Sequence, residues 1–391
     1  MKVLYITFLN EDIRPGYRLK IHSQVKCLSE LCGECQLLIM GNKEFNLYNF
    51  RKGEKLGCFP IAFKRKRHQE NRNMQDELLL FFQFCNIAKE IIKKENPTII
   101  YVRRIIPITP ILLNLLRFIK KRNISIVYEY PTYPWEKEMK NWARTDKKMI
   151  LFYLLDKIMY NSLINIVDLV AVNYVIHSDD HYNVNQKFVE IQNSGDAMDF
   201  PLIKKKQKRT DVHFIGIAHV RREHGYDILI KAIRDYYQNS PERYIYFDIV
   251  GTIEQSLNLE KMVTEYHLEN YIRFHGFQTG QTLDYLCDNA DIGVNLLSPL
   301  LSGKGVTTLK TVEYAFRGLY QICSAPLLID GGNTATPEFL YVYDNISPLN
   351  ICKVLEAYDK CKLSPSDIRA YACEHMTWKP CMEKILKYLY H

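Results

Sequence analysis

Apolar and polar positions along the chain alternate between two periods. Short apolar runs of strand length recur at Val3–Phe8, Gln36–Met40, Ile99–Val102, Ile124–Glu129 and Leu169–Asn173. Between them, apolar residues return at helical spacing, as Val25, Leu28, Leu31 and Cys32 do within His22–Cys32. Gly33 predicts the end of that helix. Further helices are predicted at Glu77–Glu95, Pro110–Lys121 and Lys147–Ile166; Thr109 and Pro110 supply a cap and a first-turn proline for the second. Strands separated by helices predict a parallel sheet with right-handed crossovers.

The polar stretch 201–210, with IKKKQKR at its heart, breaks the rhythm and is expected to be a linker. The pattern then restarts. Strands are predicted at His213–Ile217, Tyr244–Val250, Tyr271–Phe274, Ile292–Leu296 and Leu319–Cys323, with helices at Tyr226–Tyr237, Ser256–His267 and Gln281–Asn289. The expectation is an α/β chain with two doubly wound domains, at 1–200 and 211–375, and a ligand cleft between the C-terminal ends of their sheets. An amphipathic helix at 376–391 is expected to pack back on the first domain. A length of 391 residues suits two cores.

The segment Ser302–Ser324 combines a glycine-flanked Lys304, a helix starting near Thr307 or Thr308, and a buried strand after Gly318. A helix N-terminus presents unpaired N–H groups and partial positive charge, which suits a phosphate. Lys310 and Glu313 lie three positions apart and share one helix face. That pair addresses both the anionic and the hydroxyl-bearing parts of a nucleotide.

Composition adds limits. The apolar fraction is 47%, the charged fraction 25% and the net charge +8. The charge favours anionic partners; with no recognised nucleic-acid motif beside it, a nucleic-acid role is not expected. The N-terminus lacks a signal-peptide pattern, and charged or amide residues such as Asp156, Lys157 and Asn161 interrupt Met149–Val170, so a sheet-packed helix is expected there rather than a membrane span. Eleven scattered cysteines predict reduced thiols and a cytoplasmic protein. Cys32 and Cys35 are expected to be two buried thiols. His177 and His181 lack the glutamate of a zinc-helix motif. Lys64–Arg67, with Phe59 and Phe63 nearby, is a candidate contact with the anionic inner face of a membrane, set against a solvated loop.

Ordered segments over nearly the whole chain resemble the GT-B glycosyltransferases, specifically the retaining family 4 of glycosyl transferases group 1, bacterial surface-polysaccharide type. They are Pro15-Gly16-Tyr17 with LKIHSQVKCLSE, Tyr101-Val102-Arg103 with YEYPTYPWEKE, QNSGD at 192–196, Phe214–Ile230, NADIGVNL at 289–296, and the 302–324 segment. The resemblance implies two Rossmann-like domains and a nucleotide diphosphate sugar as donor. It also implies transfer of a hexose-type sugar with retention to a glycan, on a polyprenyl-diphosphate carrier of a capsule, exopolysaccharide or O-antigen. No cofactor and no metal are expected.

Donor contacts are assigned to Gly16, His224, Gly225, Gly276, Phe277, Lys304, Thr308, Leu309, Lys310 and Glu313. Lys304 and Lys310 would face the diphosphate and Glu313 the ribose, as the resemblance implies. On the acceptor side, Glu129 would orient or deprotonate a hydroxyl, with Glu136 and Glu138 as rivals. Arg103 would bind an acceptor phosphate or make an interdomain salt bridge. Gly305 stands where many members carry a first glutamate, and His224 where they carry a lysine. The arginine often found after the first donor-domain strand is also absent, with Ile217 or Ala218 in its place. Gly305 and the absent arginine keep open a catalytically silent GT-B protein that binds a partner transferase; a nucleotide-sugar epimerase on the same fold is the other alternative.

Overall fold

The structure is a computed structural model that describes residues 1–12, 15–62, 74–174, 187–204, 210–239, 241, 243–297, 307–330 and 332–390, without the side chains at 15, 74, 137, 138, 141, 144, 145 and 174. Lys304 and Gly305, Lys64–Arg67, His177 and His181, and positions 205–209 of the expected linker lie outside the described residues. The chain divides into two compact units. One comprises Met1–Tyr174, Asp179–Ile191 and Trp378–His391; the other contains Gln192–Thr377. The change of unit therefore falls at Ile191–Gln192, ahead of the polar stretch expected to mark it.

The first unit is built from β1 (Lys2–Asn10), α1 (Pro15–Cys32), β2 (Glu34–Met40), β3 (Glu44–Asn49), β4 (Glu54–Pro60), α2 (Met74–Glu95), β5 (Ile99–Arg103), α3 (Pro110–Lys120), β6 (Ser125–Tyr133), α4 (Trp135–Thr145), α5 (Lys148–Ile166), β7 (Leu169–Tyr174) and β8 (Phe188–Glu190). Its eight strands run in the order β4-β3-β2-β1-β5-β6-β7-β8. The pattern predicted a parallel sheet, but this one is mixed: β2–β3 and β3–β4 pair antiparallel. The connections there are too short for a crossover helix, so hairpins form. Helices α2, α3 and α5 cover one face, through Phe84, Leu116 and Leu163. Helix α1 covers the other, together with the C-terminal helix Lys379–Tyr390, through Val25, Cys381 and Met382. Cys32 and Cys35 are buried free thiols in that second core.

The second unit contains β9 (Val212–Ile217), α6 (Tyr226–Gln238), β10 (Ile245–Val250), α7 (Leu259–Glu265), β11 (Ile272–Gly276), α8 (Gly280–Asn289), β12 (Ile292–Asn295), α9 (Leu309–Arg317), β13 (Tyr320–Cys323), β14 (Leu327–Ile329), β15 (Asn333–Ala335), β16 (Leu340–Val342), α10 (Ile351–Lys360) and α11 (Pro365–His375). Six parallel strands form the order β11-β10-β9-β12-β13-β16. The order reverses direction beside β9, and ligands in doubly wound sheets bind at such a switch point, at the carboxyl ends of the strands. The loop after β9 and the end of β12 lie there.

Candidate functional site

Two glycines shape the switch point of the second unit. Gly216, in β9, makes room for Tyr226: a Cβ there would stand 2.6 Å from the tyrosine Oη. Gly225 ends the loop that follows β9 with φ at +65°, and a Cβ on it would fall 2.2 Å from the Leu296 carbonyl oxygen. Only glycine tolerates both conditions. The loop Ala218–His224 is thereby drawn close against the end of β12.

Helix α9 arrives from the other side. Thr308 caps it, its Oγ1 accepting from the Thr311 N–H at 3.2 Å. Thr307 is fixed by its hydroxyl, which donates to the Leu328 carbonyl at 2.7 Å and accepts from the Leu328 N–H at 2.8 Å. The start expected near Thr307 or Thr308 is thus the observed one. Thr308 and Leu309 are half-buried at the head of the helix. Tyr314 locks the helix on the sheet, its Oη accepting from the Ile217 N–H at 2.9 Å.

This docking places Lys310 over Tyr226, with Nζ 5.8 Å from the ring centroid. The lysine as a whole is half-buried, but its ammonium is enclosed and has no hydrogen-bond partner among the described residues. Burial pushes its pKa down to about 7, against weak opposing pulls from Cys323 and Glu223. An enclosed cation without an acceptor is costly unless a ligand supplies the anion.

The loop adds further donors. His224 Nδ1 accepts from the Arg221 N–H at 2.9 Å, which leaves Nε2 to carry the proton of the neutral ring. Burial, then the charges of Lys310 and Arg221, push its pKa down to about 3, so it is a neutral donor rather than a second cation. Arg221 and Arg222 are exposed beside it. His219 follows Ala218 directly and hydrogen-bonds Thr252. His219 is absent from the residues the sequence singles out; its place two residues after the first strand of the unit is the available signal.

Glu313 does not pair with Lys310. Its Oε1 accepts from Arg317 Nε at 2.9 Å, and Arg317 also donates to Asp284 at 2.8 Å. Burial raises the Glu313 pKa, and Arg317 only partly offsets that rise. Gly276 ends β11 with φ at +64°. Phe277 beside it is 62% exposed, which removes the reading of a core residue.

The acceptor-side candidates belong to the first unit, and here the structure corrects the sequence. Strand β6 runs on to Tyr133, so Glu129 sits in mid-strand rather than at a strand end. It is wholly buried. Arg103, its register partner on β5, donates to Oε1 at 2.8 Å. Tyr101, Gln24 and Tyr5 donate to Oε2 at 2.9, 3.1 and 3.3 Å. Burial pushes the Glu129 pKa up, but Arg103, Lys20 and these donors outweigh it and hold the carboxylate below its usual range. Such a group is a poor proton acceptor. Arg103 is equally buried, its Nη1 on Glu129, so it lies in the core of the first unit rather than at an open strand end.

One carboxylate faces two cations in this cluster. Arg103 holds it, and Lys20 stands 3.6 Å away, its pKa pushed down to about 8 by burial. Glu136, at the head of α4, differs. Its Oε2 is enclosed without a partner among the described residues, and burial raises its pKa. The Glu138 side chain lies outside the described residues. Gly16 is exposed in the first turn of α1, with open space around it.

Comparison with known proteins places this geometry. Residues 199–298, about a quarter of the chain, match the family model for glycosyl transferases group 1, and the matched stretch carries the His219–Gly225 loop. No curated protein sequence matches the chain. Solved structures align over its whole length. Sucrose-phosphate synthase from Thermosynechococcus elongatus superposes with a TM-score of 0.65 at 12% identity, over 100% of this chain and 99% of that one. The fold is GT-B. The catalytic domain of starch synthase IV from Arabidopsis thaliana, bound to ADP and acarbose, also gives 0.65, at 10% identity and 99% and 98% coverage. The Anabaena protein HepE, in complex with UDP and glucose, gives 0.56 at 13% identity, covering 100% and 99%. In this GT-B chain the Lys310 site lies at the switch point of the second Rossmann-like unit.

Proposed function

We propose that the chain is a glycosyltransferase whose second unit binds a nucleotide diphosphate sugar. The observation that carries this reading is the Lys310 ammonium, enclosed, partnerless among the described residues and set in the first turn of a capped helix. A diphosphate leaving group gains negative charge as the glycosidic bond breaks, and a cation held ready for it favours the transition state over the ground state. His224 Nε2 adds a neutral hydrogen bond, and the N-terminus of α9 adds its partial charge. Glu313 takes the ribose hydroxyls with the carboxylate oxygen that Arg317 leaves. Phe277, exposed beside Gly276, covers the nucleobase.

In the finer reading, a hexose-type sugar moves with retention to a glycan on a polyprenyl-diphosphate carrier. Glu136 replaces Glu129 as the acceptor-side carboxylate, because it is the one with an unengaged oxygen and a raised pKa. No metal is assigned to the leaving group, since Lys310 and the helix N-terminus provide the counter-charge.

The test is calorimetric titration of the full chain with UDP, ADP and GDP, followed by incubation with the matching nucleotide sugars and analysis of the products. Binding of one nucleoside diphosphate, with sugar passing to an added acceptor or to water, supports the reading. Binding with only an isomerised sugar recovered makes the protein an epimerase. Binding without any turnover makes it a silent GT-B protein. No binding of any nucleotide overturns the donor site itself.

A further inference from the structure

We propose that Arg317, held by Asp284, is a positioning residue that makes Glu313 a one-sided acceptor, so that the donor site holds the two ribose hydroxyls unequally. The inference rests on the donor reading above and deepens it. Glu313 and Arg317 stand four positions apart on α9, on one face of the helix. Arg317 Nε donates to Glu313 Oε1 at 2.9 Å, and Nη1 donates to Asp284 Oδ1 on α8 at 2.8 Å. One planar guanidinium therefore ties a carboxylate of its own helix to a carboxylate of a neighbouring helix.

The bridge is fixed at its base. The Arg317 side chain is 5% exposed, against 16% for Glu313 and 34% for Asp284. The Arg317 carbonyl accepts from the Ile203 N–H at 3.0 Å, and Gly318 ends the helix directly after it with φ at +81°. A guanidinium anchored at both ends cannot follow Glu313 when that side chain turns. Glu313 Oε1 is accordingly committed to Arg317, whereas Oε2 accepts from none of the described residues.

Charge works in the same direction. Burial raises the Glu313 pKa, Arg317 lowers it, and Asp284 adds to the rise. Arg317 thus keeps Glu313 an acceptor as well as aiming it. A free carboxylate has two accepting oxygens and can take both hydroxyls of a cis-diol, one on each. With Oε1 committed, one ribose hydroxyl meets Oε2 squarely, and the other is left to water or to a shared use of the same oxygen. A bridge that only docked α9 on α8 would leave the preference for ligand hydroxyls unchanged when it is cut.

The experiment is calorimetric titration of the full chain at pH 8 with UDP, 2′-deoxy-UDP and 3′-deoxy-UDP, and with the ADP or GDP series where the wild type prefers that base. All three ligands carry the same diphosphate, so the contribution of Lys310 cancels in their comparison. Wild-type protein is expected to lose about 10-fold or more in affinity with one deoxy analogue and less than about 3-fold with the other. Arg317→Met frees Oε1 and should bring the two analogues within about 3-fold of each other. Asp284→Asn, at the more exposed end of the bridge, should move the ratio the same way by less, and it carries the test should Arg317→Met unfold. Unfolding midpoints of both variants separate a change of preference from a loss of fold. The proposal is overturned by wild-type protein that binds the two analogues equally, or by variants that keep the wild-type ratio. A wild type that binds none of the nucleotides fails the donor reading itself, whereas equal binding of the analogues fails this inference alone.

Discussion

The two units each bury charge, and they do it in opposite ways. In the first, Glu129 is surrounded by Arg103, Lys20, Tyr5, Tyr101 and Gln24, and both carboxylate oxygens are engaged. In the second, Lys310 buries an ammonium with no acceptor among the described residues. A carboxylate with both oxygens engaged holds strands and helix together. An ammonium without an acceptor is a standing cost that a ligand can relieve. Sequence alone ranked both residues as chemical candidates, and their hydrogen bonds separate the structural one from the one available for binding.

Breaking the satisfied cluster should have the largest effect. Glu129→Ala leaves the Arg103 guanidinium buried without the carboxylate it donates to. Urea unfolding should show a loss of about 3–5 kcal/mol, the usual penalty for removing one partner of a buried pair. Protein that remains folded should bind nucleotide normally. A loss under 1 kcal/mol would mean that the cluster is solvated and that Glu129 is still open to the acceptor role.

Lys310→Met should reverse that outcome. Removing an unpaired buried cation leaves stability equal or higher, while nucleoside diphosphate affinity, read by calorimetry, drops by about 10- to 150-fold, the equivalent of one charge-assisted hydrogen bond. Reduced stability with unchanged affinity would assign Lys310 to the fold.

The same residue sets a pH signature. Its pKa is pushed from 10.5 down to about 7 in the folded protein. Between those values the unfolded chain keeps a proton that the folded one has released, so the contribution of Lys310 to stability rises with pH across this window. Wild-type protein should show that rise and Lys310→Met should lack it. Nucleotide binding above pH 7 should take up a proton, seen as a buffer-dependent binding enthalpy.

The smallest effect is expected at Phe277. Because the ring is exposed, Phe277→Ala should move stability by no more than about 0.5 kcal/mol. Loss of a stacked nucleobase should weaken nucleotide binding by about 2- to 10-fold. Equal affinity for both proteins would leave the base to backbone contacts alone.

The periodic apolar pattern carried most of the architecture. Alternating strand and helix periods gave both doubly wound sheets, and Thr308 with Gly318 bounded α9 closely, because caps and strand runs are local properties of a few neighbouring residues. The β2–β3–β4 hairpins, α4 and the strand end at Tyr133 were missed. Each turns on whether a polar stretch pairs or packs with something distant in sequence.

The sequence by itself determined that a lysine and a glutamate share the first turns of one helix, since helical spacing fixes that. Only the tertiary structure decided their states. It brought Arg317 and Asp284 to Glu313, left Lys310 enclosed over Tyr226, and closed Glu129 inside a ring of donors. The reason is physical: burial and hydrogen-bond partners come from residues far apart in the chain, and they decide whether a charge is spent on the fold or kept for a ligand.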